Sequence, residues 1–214
     1  MAYGPSTRTV ADVFRAVKRA FGDESGVQLE DADILMWIND AQDEINRRNR
    51  ILKAVSTASS VVGQQDYSFP ASNILSIESI HYNGSRLPNR AFAQAEEEII
   101  GKANVPSRGE PALWYEWGGK FSFYPVPATV KSIAIYYTQK AARVSAPSDL
   151  LSVPDKYYND VVRYALQQAY EMDEDWAASQ AKAQQFDASL TDQAEEERTA
   201  QNMTYPTITV YDFD

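Results

Sequence analysis

The hydrophobic period of this chain changes twice, from helical to alternating and back to helical, and that order limits the folds open to it. In the first stretch Val10, Val13, Phe14, Val17 and Phe21 recur at the spacing of one helix face, and Gly22 to Gly26 breaks the pattern. A second helical stretch runs through EDADILMWINDAQDEINRRNR, where Leu35, Ile38 and Ile45, with Ala41 beside them, share a face. Acids gather at its start and arginines at its end, the placement a helix dipole favours.

From Ala54 to Gln139, β-branched and aromatic residues come in short runs punctuated by Gly, Pro and Asn, which predicts strands. Asn83-Gly84 and Gly118-Gly119 each sit between two such runs and supply the positive φ of a tight hairpin. Phe121-Ser122-Phe123 and Ile133 to Tyr137 alternate, predicting strands with one buried face. AQAEEEIIG, between the hairpins, predicts a short helix on the rim.

After Pro147 the helical period returns. Pro154 marks a helix start, and Tyr157, Val161, Tyr164 and Gln168, with Tyr158, Val162, Ala165 and Ala169 alongside, give a broad apolar face. A further helix, Glu174 to Ala200, carries Trp176, Ala183, Phe186 and Leu190 at near-heptad spacing.

The expected fold class is therefore α+β: a helical bundle formed by N- and C-terminal helices, an inserted antiparallel β subdomain and an extended C-terminal tail. The divisions fall at residues 1–53, 54–140, 141–200 and 201–214. In the tail, TYPTITVYDFD would place Tyr205, Thr207, Thr209, Tyr211 and Phe213 on one side of a strand and Ile208 and Val210 on the other. Two fates are open to such a strand: completing the chain's own sheet, or adding to a neighbouring subunit.

The residues offer little chemistry. The absence of cysteine removes disulfides, thiolate metal sites and thiol nucleophiles, and suits a reducing cytoplasm. His81, the single histidine, has no second His or Cys with which to build a triad or a zinc site. No phosphate-cradling glycine loop occurs. The runs Glu96 to Glu98 and Glu195 to Glu197 radiate around a helix as solvated acids do. No catalytic residue, cofactor or metal is expected, and the chain is not read as an enzyme. The first 20 residues lack an apolar signal core, and no run of about 18 apolar residues predicts a membrane span.

Two surface features remain. Trp114, Tyr115, Trp117, Phe121, Phe123 and Tyr124 fall in one hairpin with only Lys120 among them, so core packing is favoured over base stacking. The alternative function is a carbohydrate- or host-receptor-binding tail module with that hairpin as its platform. Charge is also uneven: residues 149–214 hold 14 acids against 4 bases and so carry the whole net charge of -10. That balance opposes phosphate gripping and suits a surface that repels DNA or meets a basic partner.

The segments DADILMWINDAQDEINRR, VVGQQDYSFP, ILSIESIHYNGSRLP, PALWYEWGGKFSFYPVPA, SIAIYYTQKA and SDLLSVPDKYYNDVVRYALQQAYEMDED follow one another in order. Together, over residues 9–190, they resemble the tailed-bacteriophage head-to-tail adaptor (connector) proteins of the podovirus neck type, as in phage SU10. The most telling parts are Trp37-Ile38-Asn39 with Ala41, Gly63 to Tyr67 with Pro70, and Pro154 to Tyr158. The resemblance implies a structural adaptor assembling as a ring, commonly of twelve copies, below the portal protein, joining head to tail and extending the DNA channel. Its partners would be copies of itself, the portal, and tail or nozzle proteins, with DNA passing unread and no membrane contact. It would be made in the host cytoplasm and reside in the virion neck. The resemblance further implies a tail that docks on the portal, here through Tyr205, Ile208, Val210, Tyr211 and Phe213. Asp173, Glu174, Asp175, Glu195, Glu196 and Glu197 are the acids expected to charge the lumen or a portal contact.

Overall fold

A computed structural model describes residues 6–70, 72–95 and 107–202. The described chain forms two compact units, one from residues up to Arg50 together with those from Ala141 onward, the other from Ile51–Lys140.

The first unit is helical. Its members are α1 (Val10–Phe21), α2 (Asp31–Asn49), α4 (Tyr158–Met172) and α5 (Trp176–Asn202), while the one-turn α3 (Phe92–Ala95) belongs to the other unit. Thr9 starts α1 with a capping box: its side chain accepts the Asp12 N–H, and the Asp12 carboxylate accepts the Thr9 N–H. Gly22 ends the helix at φ 94, a left-handed position that an L side chain rarely adopts. Val10, Val13, Phe14 and Val17 are buried, as their spacing predicts.

In α2 the seam is turned by one residue from the predicted one. Ile34 and Trp37 are buried with Ile38, Ala41 and Ile45, whereas Leu35 is half-buried. The reason is polar: Asn39, Gln42 and Asn46 also face inward, and an apolar count does not register them. After Pro154 a 3-10 turn, Asp155–Tyr157, leads into α4, which buries Val161, Ala165, Leu166 and Ala169. Helices α2 and α4 lie between α1 and α5.

The second unit holds β1 (Lys53–Ser59), β2 (Asp66–Ser68), β3 (Ile74–Tyr82), β4 (Ser85–Leu87), β5 (Arg108–Gly109), β6 (Leu113–Trp117), β7 (Lys120–Tyr124), β8 (Val126–Pro127) and β9 (Ser132–Gln139). One antiparallel sheet has the order β1-β9-β3-β4 and a second the order β2-β7-β6. A two-residue pairing of β5 with β8 is parallel, unlike the rest. Both glycine hairpins form as predicted, at β3-β4 and β6-β7. Ile80, Tyr82, Ile133, Ile135 and Tyr137 of the first sheet share one core with Tyr67, Trp114, Phe121 and Phe123 of the second, the packing of a small sandwich. The alternation of Ile133 to Tyr137 is realised, but Phe121, Ser122 and Phe123 are all buried. β7 is the central strand of its sheet, and the Ser122 hydroxyl is held by donating to Asp66 at 2.6 Å.

Candidate assembly surfaces

Among the described residues no group of His, Cys, Asp or Glu is arranged to hold a metal ion, and no helix is long and apolar enough to cross a membrane. What the helical unit does present is a set of polar clamps inside and two charged helix faces outside.

The clamps explain two of the telling sequence parts. Asn39 donates to the Val144 carbonyl at 3.0 Å and accepts the Val144 N–H at 2.9 Å, so its amide completes a backbone pair as a neighbouring strand would. One turn on, Gln42 accepts the Ser152 N–H. Both tie α2 to the segment that returns from the β unit. At Pro154 to Tyr158, the Asp155 carboxylate accepts from the Thr7 hydroxyl, the Ser6 hydroxyl and the Thr7 N–H, which hold its pKa down to about 2. Tyr157 is fully buried, and desolvation pushes its pKa up to about 12.

The third part, Gly63 to Tyr67, closes a loop in the β unit. The Tyr67 hydroxyl receives the Val61 N–H at 3.0 Å, and Gly63 takes φ 77 while its N–H reaches the Pro127 carbonyl.

Asp23 is a further clamp, which the sequence reading passed over. Its carboxylate accepts the N–H groups of Leu29, Val27 and Gln28 at 2.8 to 2.9 Å, which draws the pKa down to about 2 and fixes the loop between α1 and α2. An Asp between two glycines was the available signal.

Helix α5 runs antiparallel to α4 along a ladder of contacts. Ser179 donates to Glu171 at 3.1 Å, Phe186 meets the Tyr164 ring at 5.4 Å, Gln193 donates to Asp160 at 2.8 Å, and Glu197 pairs with Lys156 at 2.7 Å. Phe186 and Leu190 are buried as predicted, but Trp176 is 67% exposed because α5 begins there and Ser179 takes the inward position.

The six acids singled out from the sequence are not brought together. Asp173, Glu174 and Asp175 form the exposed turn before α5, where Asp175 also caps the helix by accepting the Ala178 N–H. Glu195 to Glu197 lie some 30 Å further along α5. Glu195 and Glu196 are exposed, whereas Glu197 is held by Lys156 and by the Tyr157 hydroxyl, which donates to it at 3.0 Å. Tyr205, Ile208, Val210, Tyr211 and Phe213 lie outside the described residues, as do residues 96–101 of the predicted rim helix.

In the aromatic hairpin Trp114, Tyr115, Phe121 and Phe123 are buried, and Trp117 alone is largely exposed, stacked on Phe92 with centroids 4.2 Å apart. Four of the six hairpin rings therefore serve the core. His81 lies half-buried in β3 with its ring against Tyr136.

A sequence model of the family described as SU10 adaptor protein matches residues 8–209 of the chain. No curated protein matches it.

Proposed function

We propose that this chain, which belongs to the SU10 adaptor protein family, joins head to tail in a tailed bacteriophage by assembling as a ring below the portal protein and extending the DNA channel. The family match over residues 8–209 carries the reading, because it spans both compact units and not one shared motif. The physical character of the chain agrees. It offers clamps that rigidify a subunit and charged outer helix faces.

On this reading, the C-terminal tail with Tyr205, Ile208, Val210, Tyr211 and Phe213 docks on the portal as an added strand or an inserted arm. Among the six acids, the exposed turn at Asp173 and Glu174 supplies negative potential to the lumen or to a portal contact, which keeps passing DNA from adhering. Glu197 serves the fold. The number of copies is proposed as twelve by the family resemblance alone.

A phage genome carrying a stop codon early in this gene tests the role. The adaptor reading expects heads without attached tails, restored to intact virions by supplying the chain from a plasmid. Tailed particles assembling normally without the chain would overturn it.

A further inference from the structure

The two outer helices of the helical unit carry opposite charge at the same height. On α1, Arg15 and Arg19 are exposed and point away from the buried Val10, Val13 and Val17, with Arg8 exposed just before the helix and Lys18 beside them. Arg15 has only a loose pair with Asp12 at 3.7 Å, and Arg19 has no ion pair among the described residues. Asp12 is engaged in the helix cap, Asp31 pairs with Lys18 at 2.6 Å, and Glu24 lies at the end of the strip.

On the far side of α2 and α4, the outward face of α5 is Ala177, Ala181, Gln184, Ala188, Asp192 and Glu195, all exposed. Small residues make this face flat, so a second helix can approach closely; the acids Asp192 and Glu195 occupy its C-terminal part with Glu196 on one flank, while Asp187 lies on the α2 side, paired with Arg48.

The heights follow from the contacts along α4. Tyr158, at the start of α4, donates to the Asp12 carbonyl of α1, and Phe21 at the end of α1 meets Tyr170 near the end of α4. Helix α1 thus runs parallel to α4, while α5 runs antiparallel, with Gln193 at Asp160 and Glu197 at Lys156. Arg15 therefore stands at the level of Asp192. Arg15 to Arg19 spans about 6 Å along α1 and Asp192 to Glu196 about 6 Å along α5, so the strips also match in length.

A ring made by rotation requires two different, complementary patches on opposite flanks of one subunit. We infer that the arginine strip of α1 on one copy docks on the outward face of α5, between Ala188 and Glu195, of the next copy. The inference rests on the ring reading and names its lateral contact. Charge attraction sets register and height, and the alanines let the helices meet.

The absence of cysteine gives a direct test. Full-length single variants Arg19→Cys and Ala188→Cys are mixed at high concentration and oxidised, beside a control mixture of Thr57→Cys with Ala188→Cys. The docking predicts a mixed disulfide at least about tenfold above the control. In that background Arg15→Glu and Asp192→Lys each lower the yield several-fold, and the two reversals present together on both partners restore it. Circular dichroism of each variant verifies that it is folded.

A yield no higher than control, or one that rises only when residues 203–214 are deleted, overturns the docking; the latter would mean that the chain's own tail covers the face. The ring reading is tested separately by a chain carrying both cysteines. Cross-linked trimers and larger multimers support head-to-tail repetition, whereas a strong mixed disulfide that stops at dimers leaves the docking standing and removes the ring.

Discussion

The carboxylate of Glu197, near the end of α5, lies 2.7 Å from the Lys156 ammonium and accepts the Tyr157 hydroxyl at 3.0 Å. Helix α5 is 27 residues long and packs along α4, with α2 touching it at Asp187 and Leu190, so its last turns depend on a few such contacts. Glu197→Gln removes the charge and keeps the shape. The pair is partly open to solvent, so the expected loss is about 1 kcal/mol. Hydrogen exchange should quicken from Leu190 to Thr199 in this variant and stay unchanged in Glu196→Gln, whose side chain is exposed.

Acid should act through Asp23 and Asp155. Both carboxyls titrate at about 2 in the fold against an ordinary 3.8, so their contribution is present above about pH 4 and disappears as pH falls from there toward 2. The urea midpoint should be steady from pH 7 to 5 and then drop. Asp23→Asn puts an amide N–H where the N–H groups of Leu29 and Gln28 or that of Val27 seek an acceptor, so it lowers the midpoint at pH 7 and flattens the acid drop. An acid profile identical to wild type would show that Asp23 does not hold the loop.

Asn39 should prove a stability residue out of proportion to its size. Asn39→Ala leaves the buried N–H and C=O of Val144 without their partner, a cost of about 2 to 4 kcal/mol. Chemical unfolding of this variant beside Asn73→Ala, an exposed position, checks the contrast.

The two hairpin tryptophans should separate. Trp114→Ala empties a site 3% exposed and should cost about 3 to 5 kcal/mol, while Trp117→Ala, at 64% exposed, should cost about 1 kcal/mol or less. Equal losses in equilibrium unfolding would remove Trp114 from the core.

The parts legible in the sequence were those set by local chemistry. Gly22, Asn83-Gly84 and Gly118-Gly119 announced ends and turns, since a positive φ requires particular residues, whereas the Thr9 cap went unread. Apolar spacing identified the buried faces of α1 and α4. The pairing of β1 with β9 joins segments separated by the whole β unit, and no local pattern encodes it. The inward roles of Asn39, Gln42 and Asp160 were equally hidden, because a polar residue on a helix is read as solvated until its partner is seen. The acids at both ends of α5 were visible as charge, but not that Glu197 alone among the last three turns inward.

Cryo-electron microscopy of the full-length chain mixed with its cognate portal protein, beside a chain ending at Asn202, tests the adaptor role most directly. The expected result is a ring on the portal's lower face with the C-terminal tail ordered against the portal, and a truncated chain that folds but does not dock. A full-length chain that leaves the portal bare at high concentration would contradict it.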